Sequence, residues 1–424
     1  MGKGNKIVSS KLVREASTLV SGNILAQAIA LAAYFVLTRI YTPDDYGLFN
    51  IFYSYIEVLI IFSTCKYELA VVVADDDREA AAVSRFALKL NAIVSAVLLT
   101  VALVLWLSGA LPGNFAQLGW MVLLIPPMVF FCGTSRIYSF IYNRFHNYKQ
   151  IVISDNATAG SGALFKALLG WVGMIPSGLP VGAVLGQAVG NINYRLRLRR
   201  LGLPATNIDE RSVAARKHRN FPLFVATKDF VNAFSANLPF LWLAIYFDRA
   251  EVGLFGLALT FSRQPMLLLC TAFERVLYAR SAEAVRDGKP ILPITAHFTA
   301  IVNAVALPLC VLAWFVAEPL FAFGFGSRWQ GCGVYVQALL PWVWLTLTAN
   351  SLMFVANIFS TQRTEFLFYI AQLVLRVSAI MVGIIHGNFI LAIRLFSAAS
   401  AVICLSLTVW YLWQVVRYDK GLRA

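Results

Sequence analysis

Residues 17–79 read STLVSGNILAQAIALAAYFVLTRIYTPDDYGLFNIFYSYIEVLIIFSTCKYELAVVVADDDRE. Two apolar runs flank a short acidic turn, Tyr41-Thr-Pro-Asp-Asp-Tyr46. About twenty apolar residues rising about 1.5 Å each span the hydrocarbon core of a bilayer, and each run is long enough. Pro43 sits where a helix is expected to break. The stretch is expected to form a transmembrane hairpin.

Working outward, the hairpin recurs. Tyr46-Gly-Leu-Phe49 follows the first turn, and Val252-Gly-Leu-Phe255 follows a similar turn, Asp248-Arg-Ala-Glu251, at an offset of 206. The Pro127 region and Asn143-Arg-Phe145 match the Pro341 region and Asn357-Ile-Phe359 at an offset of 214. Two echoes near half of 424 residues point to two homologous halves.

The chain is 59% hydrophobic and 13% charged, against about 25% charged residues in soluble domains. It therefore reads as an all-α polytopic membrane protein. Twelve spans are expected, at 17–40, 47–65, 84–107, 118–141, 151–173, 178–196, 221–247, 253–273, 295–317, 333–355, 365–385 and 389–413. They divide into an N-lobe (1–196), a basic cytoplasmic linker (197–220) and a C-lobe (221–424). The polar, basic N-terminus and the length of the first apolar run argue against a cleaved signal. Cys65, Cys132, Cys270, Cys310 and Cys404 lie in apolar runs, and neither the six cysteines nor the four histidines have metal spacing, so no metal or cofactor is expected.

The net charge of +14 does not call for nucleic acid, because Lys and Arg gather in the cytoplasmic loops of membrane proteins. With the N-terminus placed inside, 26 basic residues fall on the cytoplasmic side, from Lys3 and Arg14 through Lys66, Arg78, Arg144, Arg197, Lys217 and Arg219 to Arg363 and Arg417. Only Arg39, Arg249 and Arg328 fall opposite. Both termini are expected in the cytoplasm.

The six basic residues that remain of the 35 all fall inside spans: Arg136, Lys166, Lys228, Arg263, Arg376 and Arg394. A charge at the bilayer centre costs at least about 2.5–3.5 kcal/mol, so such residues face a partner or a wet cavity. Arg263 and Arg376 lie nearest mid-span; Arg136, Lys228 and Arg394 lie close enough to an end to snorkel. Polar stripes at helical spacing accompany them: Asn23, Gln27, Tyr34 and Thr38; Asn50, Ser54, Glu57 and Thr64; Asp155, Thr158, Gly162 and Lys166; Gln187, Asn191 and Arg195; Gln372 and Arg376. Each stripe is either helix glue or cavity lining. Six bases against three acids (Glu57, Asp155 and Asp229) make a net positive cavity whose natural ligand is an anion, since Arg pairs with phosphate through paired donors. A lipid with a phosphate or pyrophosphate headgroup fits. No Walker loop, G-x-S-x-G or large soluble domain is present, so the chain is not expected to be an enzyme.

Gly22-Asn-Ile-Leu-Ala-Gln27, Leu37-Thr-Arg-Ile-Tyr-Thr-Pro43, Tyr46-Gly-Leu-Phe49 and Lys66-Tyr-Glu-Leu-Ala70 together resemble the opening of bacterial polysaccharide-biosynthesis exporters. These are the Wzx-type O-antigen and lipid-linked oligosaccharide flippases of the multidrug/oligosaccharidyl-lipid/polysaccharide (MOP) superfamily. Gly253-Leu-Phe255 through Pro265, Val276-Leu-Tyr278 and Ser281-Ala-Glu283 resemble their second lobe.

The resemblance implies a MATE-like fold of about twelve helices in two six-helix lobes around a central cavity. It also implies translocation of an undecaprenyl-pyrophosphate-linked oligosaccharide across the bacterial inner membrane by alternating access, for lipopolysaccharide and other surface polysaccharide. Membrane lipids are implied partners, with H⁺ or Na⁺ as a coupling ion and other polysaccharide-assembly proteins as candidates. In this picture Arg263 and Arg376 bind pyrophosphate and Lys166, Arg136, Lys228 and Arg394 assist. Asn23, Gln27, Tyr34 and Tyr53 contact sugar, and Glu57, Asp155 or Asp229 carry the coupling ion. Arg39, Asp44, Asp45, Arg249 and Glu251 close an outer gate. The acids have a plainer alternative as permanent ion-pair partners, Lys228 with Asp229 being one such pair. The alternative function is an ion-coupled drug exporter of the same superfamily. A glycosyltransferase, polymerase or ligase is disfavoured by the short outer loop near 318–332.

Overall fold

Tyr41–Asp45 is the sharp corner that the sequence calls for. In the computed structural model α1 (Lys3–Ile40) stops before it and α2 (Pro43–Thr64) starts at Pro43, the first helical position, where a missing N–H does no harm. Thr42 and Asp45 form a reciprocal capping box. The Asp45 carboxylate accepts from the Thr42 backbone N–H (2.8 Å) and hydroxyl (2.7 Å), and the Thr42 hydroxyl oxygen accepts from the Asp45 N–H (3.3 Å). The structure describes residues 3–198, 201–286, 288–359 and 361–422, with the backbone alone for 3–20, 23, 265–280, 282–283, 286 and 357.

The described residues are helical nearly throughout. After α2 come α3 (Tyr67–Val73), α4 (Asp77–Leu107), α5 (Asn114–Leu118), α6 (Ile125–Arg144), α7 (Tyr148–Trp171), α8 (Gly178–Leu198) and α9 (Ile208–Lys217). Then follow α10 (Ala226–Leu238), α11 (Ala244–Tyr246), α12 (Arg249–Arg286), α13 (Leu292–Phe325), α14 (Cys332–Ser351), α15 (Phe354–Ile358), α16 (Gln362–Ile385) and α17 (Phe389–Gly421). Every expected span lies on this helical framework. Wide π turns at Phe221–Val225 and Pro239–Leu243 flank α10, each with a proline at its start. The chain forms two compact units, Met1–Ala233 and Phe234–Ala424, divided within α10.

Seven helical segments among the described residues are long and apolar enough to span a membrane by composition: 43–64, 77–107, 114–144, 292–325, 327–356, 362–385 and 389–421. Helices α7 and α8 fall short of that standard for a physical reason. Their shared face is built of small residues. A Cβ placed on Gly186 would lie 2.5 Å from the Gly162 Cα, one on Gly182 would meet the Lys166 backbone at 2.6 Å, and one on Gly190 would overlap the Thr158 hydroxyl. Gly182, Gly186 and Gly190 recur every four residues, so the two backbones touch along a whole face. Tyr41, fully buried, reaches from the corner into the end of this seam and donates its phenol to the Lys166 carbonyl at 2.8 Å.

The basic segment after α8 is docked on the first unit. Ala214 and Ala215 of α9 are buried, and the Tyr67 hydroxyl donates to the Ala215 carbonyl (3.2 Å). Arg78 pairs with Glu210 (2.6 Å), Arg85 donates to the Thr206 hydroxyl (2.8 Å), and Lys217 bridges Asp75 (2.7 Å) and Glu79 (2.8 Å). His218 also reaches Glu79 at 2.8 Å. Partial burial works against the Glu79 charge, but donors from Lys217, the Asp75 backbone and His218 outweigh it and hold the carboxyl down at about 2.

Two outcomes are expected. Gly186→Ala should lower thermal stability in detergent by about 1–3 kcal/mol through overpacking, whereas Gly160→Ala, with open space at its Cβ, should be neutral or mildly stabilising. Because the Glu79 pKa is lower in the folded state, its contribution is present above the ordinary carboxylate pKa of 4.5 and is lost as pH falls towards 2. Limited trypsinolysis at Lys217 and Arg219 should therefore accelerate in Glu79→Gln at neutral pH, and wild type should match that variant only on acidification.

Candidate functional site

In the first unit a cavity of about 180 Å³ opens between α1, α2, α6, α7 and α8. It has room for a phosphate-sized or single-sugar-sized group. Tyr34 comes from α1, Tyr46, Phe49 and Tyr53 from α2, Thr158 and Lys166 from α7, and Gln187 from α8. The Lys166 ammonium sits 4.6 Å from the centre of the Phe49 ring, close enough for a cation–π attraction. Among the described residues no carboxylate lies within ion-pair distance of it. Lys166, Tyr34 and Tyr53 are thus brought together, with Glu57 and Arg136 close enough to act electrostatically on Tyr53.

The other expected residues of this unit are placed elsewhere. Asp155 accepts from the Tyr194 phenol at 2.9 Å. Asp229 is ion-paired with Lys66 at 2.6 Å. Lys66 arrives from the start of α3, far from Asp229 in the chain. Asp45 is buried, and its carboxylate is committed to the cap of its own helix. Arg39 is exposed and Asp44 half-buried. The Gln27 side-chain oxygen is buried with no hydrogen-bond partner, and the Asn23 side chain lies outside the described residues. On the α8 stripe Gln187 lines the cavity and also accepts from the Ser135 hydroxyl of α6 (3.4 Å), while Asn191 donates to the Phe131 carbonyl (2.7 Å) and the Ser135 hydroxyl (2.8 Å) of the same helix.

The second unit holds a different cationic centre. Arg376 of α16 is 2% exposed. Its Nε donates to the Ser400 hydroxyl (2.8 Å) and a terminal nitrogen donates to the Ser235 hydroxyl (3.1 Å). The guanidinium carbon lies 4.7 Å from the centre of the Phe396 ring and 5.1 Å from that of Trp342. Again no carboxylate among the described residues is within ion-pair distance. Arg263, exposed on α12, is close enough for its charge to act on Arg376. Two like charges without an acid between them make a local positive field. Arg394 is exposed, Lys228 and Arg249 are half-buried, and Glu251 shares a hydrogen bond with Tyr335.

Sequence reasoning named Tyr34 and Tyr53 but missed Tyr46 and Phe49 of the first centre and both rings of the second. Tyr46, Phe49 and Tyr53 share one face of α2 at helical spacing, a signal that could have been read. The rings of Trp342 and Phe396 come from two different helices and leave no local signature.

The fold is that of MOP-superfamily transporters. An inward-facing multidrug resistance transporter of the MATE family has 12% identity and a TM-score of 0.72, over 94% of this chain and 99% of that one. The lipid II flippase MurJ in an inward closed conformation has 10% identity and a TM-score of 0.74, over 95% and 90%. A MOP-superfamily transporter from Pyrococcus furiosus has 14% identity and a TM-score of 0.64, over 96% of each chain. Such identities speak for the fold. The class is therefore a multi-pass membrane protein with the MOP architecture. The family model for polysaccharide biosynthesis proteins matches residues 36–334, and the chain belongs to that family. Comparison with curated protein sequences gives no match.

Burying an Arg without a carboxylate is unfavourable, and an apolar side chain of similar reach removes that cost. Arg376→Met is accordingly expected to be at least as heat-stable as wild type in detergent. A drop of several degrees would instead make Arg376 a structural keystone.

Proposed function

We propose that this protein translocates a lipid-linked oligosaccharide, carried on undecaprenyl pyrophosphate, across the bacterial inner membrane by alternating access, for surface polysaccharide or O-antigen assembly. The observation that carries this reading is that two cations within the spans, Lys166 and Arg376, lie among aromatic rings and hydroxyls with no carboxylate among the described residues within ion-pair distance. A cation kept unpaired at such cost is poised for an anion. Aromatic faces beside it suit sugar rings, so the Lys166 cavity has the chemistry of a sugar-phosphate subsite. Membership of a polysaccharide biosynthesis family supports the carbohydrate part of the cargo, and the MOP fold supports transport over catalysis.

On this reading Lys166 and Arg376 bind the pyrophosphate in turn, Arg263 adds field strength, and Arg136, Lys228 and Arg394 assist from the periphery. Tyr34, Tyr53 and Gln27 contact sugar. Glu57 and Asp155 remain the candidates for an H⁺ or Na⁺ coupling site, Asp229 being neutralised by Lys66. Arg39, Asp44, Arg249 and Glu251 belong to the outer gate. The lobes 1–196 and 221–424 are joined by 197–220 on the cytoplasmic face, where both termini lie; the excess of Lys and Arg in these loops supports that orientation.

The test is export in cells lacking the protein, complemented with wild type, Lys166→Ala or Arg376→Met. Finished lipid-linked oligosaccharide should accumulate on the cytoplasmic side and be cleared by wild type. Each variant should reach the membrane and export about tenfold less or worse, the scale of one charge-assisted hydrogen bond to phosphate. Normal surface polysaccharide in the deletion strain, with altered drug sensitivity, would replace this reading with that of a drug exporter.

A further inference from the structure

A groove of about 590 Å³ lies between the start of α16 and the end of α17, walled by Phe359, Thr361, Trp410, Trp413, Gln414 and Arg417. It is separate from the Arg376 centre, which lies about 20 Å further along α16 at about 1.5 Å per residue.

Three features give the groove the chemistry of a binding site. Gln414 is only 8% exposed, and its amide oxygen accepts from the Thr361 hydroxyl at 3.1 Å, but its amide nitrogen is buried without any partner. Whichever way the amide is turned, one polar atom in the wall is left for a ligand. Arg417 stands one turn beyond Gln414 on the same face of α17. Its guanidinium lies 5.5 Å from the centre of the Trp413 ring, and no carboxylate among the described residues is within ion-pair distance. The third feature is the approach. Val402, Leu405, Val409 and Trp413 form one exposed apolar strip along α17, each more than half exposed, and the strip runs into the groove at Trp413.

A cation, an amide donor and a hydroxyl therefore meet indole rings just where the apolar part of a spanning helix gives way to Arg417, Asp419 and Lys420. Such a junction falls at the headgroup level of a bilayer, where tryptophan is enriched. A soluble anion would use the polar wall but leave the strip bare. We propose that the groove binds an anionic phospholipid of the surrounding leaflet. Its phosphate sits on Arg417 and the Gln414 amide, and an acyl chain lies along the Val402–Trp413 strip. The site makes no use of the transport cations, so it stands whether or not the cargo is the one proposed above.

The test is lipid titration of the purified full-length protein by native mass spectrometry, with phosphatidylglycerol and phosphatidylcholine as probes. Wild type should retain one phosphatidylglycerol in preference to phosphatidylcholine. Arg417→Gln and Gln414→Leu should each bind it about tenfold more weakly, the scale of one charge-assisted hydrogen bond, and Arg417→Lys should stay near wild type. Arg417 is exposed, so its variants keep the test sound even if Gln414→Leu does not fold. Equal retention by Arg417→Gln, or equal binding of the two lipids, overturns the proposal. Displacement of phosphatidylglycerol by excess inorganic phosphate overturns it too, by showing a site for a free anion.

Discussion

Hydrocarbon offers no hydrogen bonds to the backbone, and the architecture follows from that single fact. The spans are helices because only a helix pairs every internal N–H and C=O within its own segment. Where a span must stop, the loose groups are met locally: Thr42 and Asp45 cap α2, and Arg144 donates to the carbonyls of Val71 (3.1 Å) and Ala74 (2.8 Å) at the end of α3. Several hydroxyls within the spans follow the same rule. Thr38, Ser54, Thr158, Ser400 and Thr408 each donate to the carbonyl four residues back. Lys166 and Arg376 stand out as charges whose surroundings solvate them without neutralising them.

The solvation is built from rings and hydroxyls. Phe49 under Lys166, and Trp342 and Phe396 around Arg376, present the negative faces of their quadrupoles to the cation. Ser235 and Ser400 accept from Arg376 and lower the cost of its burial without cancelling its charge. A carboxylate in the same place would have made a permanent ion pair, as it does for Lys66 and Asp229. The distinction between a closed pair and an open cation is what separates scaffold from candidate binding site here.

Close backbone contact holds the first of these cations in place. Helices α7 and α8 touch through Gly162, Gly182, Gly186 and Gly190, and Tyr41 ties the α1–α2 corner to the carbonyl of Lys166 itself. The cavity wall is thus as rigid as the seam behind it. At the aqueous edge, Glu79 gathers Lys217 and His218 and fastens the basic segment after α8 to the helices it follows.

Much of this was legible in the chain. Hydropathy located the spans, Pro43 marked the corner, and the mid-span bases pointed to Arg263 and Arg376, with Lys166 as an auxiliary, because each of these signals is local and hydrocarbon punishes any exception. The face each polar residue would use was not legible. Gln187 and Asn191 lie one turn apart on α8 and both bond Ser135 of α6, yet only Gln187 also lines the cavity. Asp229 pairs with Lys66, far away in the chain, and the rings around Arg376 came from α14 and α17. The sequence by itself determined that this is a helical membrane protein with cations buried in its spans. Only the tertiary structure decided which of those cations are paired and which lie open. Pairing depends on segments far apart in the chain meeting within a few ångströms, and no local pattern records that meeting.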